Sequence, residues 1–343
     1  MTTPPLQSKF RGCMLGTMIG DVIGAVVETE SPQYIAQQYG TIEAILLENE
    51  IPQLSEPKWE VGHFTDDTQM SIAVAEWLLS DPERRPERLL ELFANHHENW
   101  RRYGPGCARI LSLVPEYRDN WQALGTIMFP QGSYGNGSAM RVAPIGLRFH
   151  DELNALLETA ILSSKTTHSH PLALQGAVLQ ACAVATALRI ENIDPTRFVH
   201  TLRVALDKFT DMSVDTEDFN RAFDVIEEAI QLKAPADEVS TIIGTGIEVY
   251  EAVPMAVYCF LSNMKSFEAA IHDAVFIGGD TDTIASMTGA MAGAYHGEAA
   301  IPSAWIDAVR EPQYTPDEMR RLADELHAAS LSPLDPPTDQ DSI

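Results

Sequence analysis

The sequence predicts an all-α protein, a compact single-domain orthogonal helical bundle spanning residues 1–330. Three observations predict it. Sustained apolar–polar alternation is nearly absent and β-branched runs are few, so strands have little to form from. Apolar residues instead recur at helical spacing, as in Met70, Val74, Trp77 and Leu78. Between such stretches stand Pro, Gly or pairs such as Asp81-Pro82, which end helices. With 343 residues, 45% of them hydrophobic, the chain can bury a substantial core.

Gly12, Gly16, Gly20 and Gly24 recur every four residues. On a helix they make one bare stripe that admits a second helix closely, at about 1 kcal/mol per glycine relative to alanine. Asp21 and Glu28 stand seven residues apart, two helical turns, so both can face one way with Glu28 ending the helix. An exposed helix-end glutamate is the plainer alternative. Residues 29–61 read as irregular, broken by Pro32, Pro52 and Pro57, with one helical patch at Ile42 to Leu47; so long a connection often carries a flap. His96 and His97 lie in a polar helix without metal-ligand spacing and read as surface residues. Tyr103-Gly104-Pro105-Gly106 is a turn before a helix from Ala108 to Val114.

In Gly132-Ser133-Tyr134-Gly135-Asn136-Gly137-Ser138-Ala139-Met140-Arg141, three glycines free the backbone amides, and Ala139-Met140-Arg141 can begin a helix. That is the usual arrangement for wrapping a phosphate, although a tight turn explains the glycines equally well. His168 and His170 precede an Ala-rich helix from Leu172 to Leu188 and read as turn or cap residues. Residues 190–240 form an acidic, amphipathic helical region, in which Asp211 to Glu217 fails as a calcium loop because Thr216 replaces the required glycine. An apolar helix follows Val253-Pro254 and runs through Leu261. Ala285, Gly289 and Gly293 supply a second small-residue stripe. A helix from Pro316 to Ser330 comes last, and the tail at 331–343 has a disordered composition.

Two stretches carry the chemistry. Thr65-Asp66-Asp67 and Asp280-Thr281-Asp282-Thr283 each open a helix, where free N–H groups and the macrodipole favour carboxylates. Capping explains one acid at each start, whereas the second acid, with Gly278-Gly279 before it, suggests a shared site. Four converging carboxylates repel one another, and the expected resolution is a cation. Oxygen-only ligands suit magnesium or manganese, and there are enough of them for two ions. Two well-capped helices with no metal remain the alternative.

The net charge of −26, from 23 basic and 49 acidic residues, argues against nucleic acid or an acidic membrane as partner. Cys13, Cys107, Cys182 and Cys259 are widely spaced among apolar or small residues, as buried free thiols are. No convincing signal peptide is present, and Gly12 to Val27 is short and glycine-rich for a membrane span, so a cytoplasmic monomer is expected.

Taken together and in order, GCMLGTMIGDVIGAVVE, FTDDTQM, GSYGNGSAMR, TTHSHPLALQGAVLQA, VPMAVYCFL and GGDTDTIASMTGAMAGAYHG resemble the ADP-ribosylglycohydrolase family, from the start of the chain to about Gly297. The resemblance implies an all-α bundle with a central cleft holding two Mg2+ ions, Mn2+ being a possible substitute. It implies Thr65, Asp66, Asp67, Asp280, Asp282 and Thr283 as metal ligands, with Glu28 a further acidic ligand or gate. It implies that residues 132–140 wrap the diphosphate and ribose, with Tyr134 and Phe129 near the adenine and His168 contacting ADP-ribose; Gly104, Gly106 and Ile247 are looser matches. GSYGN and VPMAVYCFL look more like the branch that removes serine-linked ADP-ribose and trims poly(ADP-ribose) than the arginine-directed branch. Ser138 departs from that branch, which commonly has glycine there. The implied activity is hydrolysis at C1 of the distal ribose, with Asp66 or Glu28 taking a proton from water, on ADP-ribosylated proteins or ADP-ribose-bearing small molecules such as O-acetyl-ADP-ribose. An arginine-directed hydrolase, a non-catalytic ADP-ribose reader and a phosphohydrolase cutting the diphosphate are the rivals.

Overall fold

A computed structural model describes residues 3–48, 59–210 and 215–331. Among the described residues the regular structure is helical, apart from one isolated bridge between Gly135 and Glu248. The first helices are α1 (Leu6–Gly24), α2 (Pro32–Gln38), α3 (Ile42–Leu46), α4 (Asp66–Ser80), α5 (Pro86–His96) and α6 (Pro105–Tyr117). There follow α7 (Leu124–Ile127), α8 (Ala143–Arg148), α9 (Leu153–Lys165), α10 (Pro171–Arg189), α11 (Pro195–Thr210) and α12 (Glu217–Leu232). The last are α13 (Ala236–Ile243), α14 (Val249–Ser262), α15 (Phe267–Phe276), α16 (Thr281–His296), α17 (Ser303–Asp307) and α18 (Pro316–Ser330).

The helices sort by composition. α10 is buried without interruption from Ala173 to Leu188, and α16 from Thr281 to Ala294. Helices apolar all round can only sit inside, and with α1 and α14 these form the centre. α12 is an outer helix of the opposite kind, burying Phe219, Phe223 and Ile226 while Asp224 and Glu228 face water.

The two small-residue stripes meet. A β-carbon built on Gly16 would lie 2.1 Å from Gly289 O, one on Gly20 2.0 Å from Ala285 O, and one on Gly12 2.4 Å from Gly293 O. α1 and α16 therefore touch backbone to backbone, which only hydrogen in place of a side chain allows.

Local expectations differ from the structure in several places. The 29–61 segment contains α2 besides α3: Ser31 caps it by accepting from Tyr34 N, and Pro32 occupies the first turn, where a missing N–H does no harm. His96 is mostly covered, its Nε2 2.9 Å from Glu76 and its ring stacked on Tyr314, and His97 packs edge-on against Tyr103. These histidines serve packing between α4, α5 and the segment before α18. Cys107 is only partly buried, unlike the other three thiols. The rejected calcium loop lies partly, and the tail from 332 wholly, outside the described residues.

Gly16→Ala tests the helix contact. In an exposed helix the change stabilises by about 1 kcal/mol, whereas a β-carbon driven into Gly289 should destabilise by ~2 kcal/mol or more in denaturant unfolding. A neutral or stabilised variant would show that the helices do not touch there.

Candidate active site

Both acidic helix starts are fastened to the C-terminal end of α1. Thr281 Oγ1 donates to Gly24 O at 2.8 Å, fixing the start of α16. Asp21, fully buried, receives the start of α4: its Oδ1 accepts from Thr65 N and Thr65 Oγ1, both at 2.9 Å, and its Oδ2 from Thr68 N at 3.0 Å and Thr68 Oγ1 at 2.6 Å. Burial pushes the Asp21 carboxyl up to about 6 while those donors pull it back. Asp21 thus caps another helix and does not share a face with Glu28. α1 ends at Gly24, and the chain turns through Ala25 to Thr29, so Glu28 sits on a turn and not at a helix end.

That turn is clipped to the start of α16. Thr29 N donates to Gly279 O at 2.8 Å and Gly279 N to Glu30 O at 3.3 Å. Gly278 and Gly279 have φ of +72° and +80°, and a β-carbon on Gly279 would lie 2.3 Å from Thr245 O. Glycine is required there on both counts.

The result is one cavity of about 280 Å3. Asp66 and Asp67 line it from α4, Asp280, Asp282 and Thr283 from α16, and Glu28 from the turn. Gly104, Gly106 and Phe129 form another wall, with Ser133, Gly135, Asn136, Gly137, Met140, His168 and Ile247 completing it. Thr283 Oγ1 lies 3.4 Å from Asp67 Oδ2, joining the two acidic starts, and Asn136 Nδ2 donates to Asp280 Oδ2. One oxygen from each of Glu28, Asp280 and Asp282 falls within 4.8 Å of the others.

Burial, and after it neighbouring negative charge, holds the carboxyls of Asp66, Asp67 and Asp282 well above the usual range. Burial brings Asp280 to about 6, opposed by hydrogen bonds that include Asn136. Asp67 Oδ1 is buried with no hydrogen-bond partner. A crowded set of oxygen donors, one of them unsatisfied, fits a hard divalent cation, and nitrogen or sulfur donors that would favour zinc do not enter the Glu28–Asp280–Asp282 group.

The glycine loop is held from behind. Asn136 N donates to Ile247 O at 2.9 Å, and Val249 N to Tyr134 O at 3.1 Å. Arg141 is fully buried; it donates to Gly137 O at 3.2 Å, Ser163 O at 2.5 Å and Thr167 Oγ1 at 2.8 Å, and lies 4.7 Å over the Phe93 ring. Thr167 Oγ1 stands 2.7 Å from His168 Nδ1. Thr167 Oγ1, which accepts from Arg141, can give its own proton to Nδ1, and in that arrangement a neutral ring carries its proton on Nε2. Burial, reinforced by the Arg141 charge, lowers His168 to about 3, so it is neutral at ordinary pH. Gly137 is glycine because a β-carbon would lie 2.9 Å from that ring.

Some expected residues stand back from the cavity. The Thr65 hydroxyl donates to Asp21 and accepts from Asp67 N, capping α4. Gly132, at φ +83°, is turned against His170 N. The Tyr134 ring is half exposed and packs on His170 and Tyr250. Ser138 Oγ donates to Ala173 O, and Ala139 is in the core. No α-helix begins at Ala139: Asn136–Ser138 is a 3-10 turn and α8 starts at Ala143, where Pro144 suits the first turn. The cavity is edged by the loop itself and not by a helix N-terminus. His170 caps α10 as expected, accepting from Leu172 N. Arg102, Pro105, Cys107, Ile110 and Thr167 line the cavity without having been read as site residues. Their neighbourhood was visible, since most flank the Tyr103–Gly106 turn or His168.

Comparison with known proteins agrees with this arrangement. A family profile described as ADP-ribosylglycohydrolase matches residues 2–334. ADP-ribosylhydrolase ARH3 of Mus musculus is 32% identical, covering 87% of this chain and 86% of the relative. The Homo sapiens ADP-ribosylhydrolase ARH3 is 31% identical over 87% of this chain and 88% of its own. An uncharacterised protein of Archaeoglobus fulgidus is 31% identical over 94% of this chain and 98% of its own. A solved structure described as an ADP-ribosylglycohydrolase-related protein complex superposes with a TM-score of 0.67 at 24% identity, covering 95% of this chain and 99% of that one, which supports the all-α fold. Two acidic helix starts closing on one cavity, in a chain matched over almost its whole length, identify it as a member of the ADP-ribosylglycohydrolase family.

Proposed function

We propose that this hydrolase releases ADP-ribose by cutting the glycosidic bond at C1 of the distal ribose, with O-linked acceptors (serine, O-acetyl-ADP-ribose and poly(ADP-ribose)) as its substrates and two Mg2+ ions as its cofactors. The carrying observation is the convergence of Glu28, Asp66, Asp67, Asp280 and Asp282 on a cavity edged by the Ser133–Gly137 loop. The O-linked preference is supported by the GSYGNG loop and by similarity to proteins named ADP-ribosylhydrolase ARH3.

In this reading Asp66, Asp67, Asp280, Asp282 and Thr283 hold the cations, with Glu28 closing the set and Thr65 orienting Asp67. Bound there, divalent ions supply Lewis-acid polarisation and lower the pKa of a water. The Ser133–Gly137 loop edges the diphosphate, with the Gly135 and Asn136 amides already given to Ser133 Oγ and Ile247 O, and His168, neutral, borders it without adding charge. Phe129, exposed on one face, and Ile247 offer apolar surface to the base. Asp66 is the better proton acceptor of the two candidates: it lines the cavity and forms no ion pair among the described residues, whereas Glu28 is paired with Arg102 at 3.0 Å. The remaining carboxylates face the position where positive charge develops on the ribose, and so stabilise it.

Three outcomes check this reading. Offered serine-linked, arginine-linked, O-acetyl and polymeric ADP-ribose with Mg2+, the enzyme should release ADP-ribose from the O-linked forms; AMP as product, preference for the arginine form, or binding without turnover would support the rivals. Asp66→Asn should lower turnover about a thousandfold while the chelated protein melts no lower than wild type, because one charge leaves a crowded set; wild-type turnover would remove Asp66 from its role. With chelator, Asp21 and Asp280, raised from 3.8 to about 6, stabilise most at low pH and lose that contribution as pH rises through about 6. Chelated protein should therefore melt lower at about pH 7 than at about pH 5, and Mg2+ should shrink the difference. A higher melting temperature at the upper pH would contradict the crowding.

A further inference from the structure

We infer that Arg102 is a positioning residue for Glu28, an inference that rests on the reading above that Glu28 joins Asp280 and Asp282 around a divalent cation. Arg102 has φ of +58°, the left-handed region that residues with a β-carbon adopt only under constraint. Its neighbours supply that constraint. Arg101 donates to Glu311 at 2.8 and 2.9 Å and to Phe64 O at 2.9 Å, and Tyr103 OH donates to Gln69 Oε1 at 2.7 Å.

Held between them, Arg102 turns its side chain toward the cavity, where it is the single arginine among the lining residues and no lysine accompanies it. One nitrogen, Nη1, donates both to Ala25 O at 2.6 Å and to Glu28 Oε2 at 3.0 Å. The guanidinium lies 4.3 Å over the Trp59 ring, which fixes its plane. Arg102 thus grips the 25–28 turn at both ends. Glu28 has no helix to orient it, and its carboxylate stands among like charges that push it away. With Oε2 tied to Arg102, the other oxygen is left for the Asp280–Asp282 group.

Glycine would adopt the same backbone without strain, so the left-handed conformation by itself does not call for an arginine. The contacts of its guanidinium do, and among them the bond to Glu28 is the one that reaches the acidic group.

The test is Mn2+ and Mg2+ binding by calorimetry to the full chain, comparing wild type, Arg102→Gly, Glu28→Gln and the double variant, with melting temperatures measured in chelator. Arg102→Gly relieves the left-handed backbone but gives up the Ala25 hydrogen bond and the Trp59 stacking, so its melting temperature should stay within about 5 °C of wild type while it binds metal about tenfold more weakly. Adding it to Glu28→Gln should cause no further loss, because the arginine acts through the glutamate. Arg102→Lys should recover part of the affinity, having one charge but no rigid plane. Unchanged affinity in Arg102→Gly, or full additivity with Glu28→Gln, overturns the inference and leaves the metal site standing. Wild type that binds neither ion overturns both.

Discussion

The attachment of two distant helix starts to the end of α1 is the constraint on which the site depends. One attachment is steric, the glycine stripe that lets α16 lie against α1 and brings Thr281 to Gly24. The other is polar, the Asp21 carboxylate that takes two amides and two hydroxyls from the first turn of α4. A carboxylate without those donors would be expensive to bury, and an α4 start without the carboxylate would leave amides unsatisfied. Each half makes the other tolerable, and together they bring Asp66 and Asp67 opposite Asp280 and Asp282.

That geometry concentrates negative charge, and the surrounding residues are arranged around the consequence. Asn136 and Thr283 each give a hydrogen to a cavity carboxylate, and Arg102 gives one to Glu28. Arg141, buried behind the glycine loop, is hydrogen-bonded to carbonyls, hydroxyls and possessed of an aromatic face but to no carboxylate. It stands behind Thr167 and His168, and burial, with the Arg141 charge added, keeps that histidine neutral. The loop of glycines is thus a thin floor between a buried cation and a cluster of acids. A diphosphate lying on it would have the Arg141 charge beneath and divalent ions above, which reconciles an anionic ligand with a chain of net charge −26.

Much of this was legible in the sequence because it is local. Helix periods, the Gly12–Gly24 stripe and paired acids at a helix mouth each depend on residues within two turns of one another. What depended on tertiary partners was not legible. Asp21 and Glu28 have the spacing of one helix face, yet the helix ends at Gly24 and the Asp21 carboxylate is turned to the start of α4. Ala139-Met140-Arg141 has helical propensity, but Pro144 and a 3-10 turn delay the helix to Ala143. Arg102 drew no reading at all, because a left-handed backbone at a non-glycine residue cannot be read from its neighbours.

The central claim is that the two acidic starts share divalent ions, and anomalous diffraction from crystals soaked in Mn2+ tests it most directly. The account predicts anomalous peaks inside the cavity, within bonding distance of Asp280 and Asp282 on one side and Asp66 or Asp67 on the other. A cavity without an anomalous peak, at Mn2+ concentrations that saturate other carboxylate sites in the crystal, would contradict it.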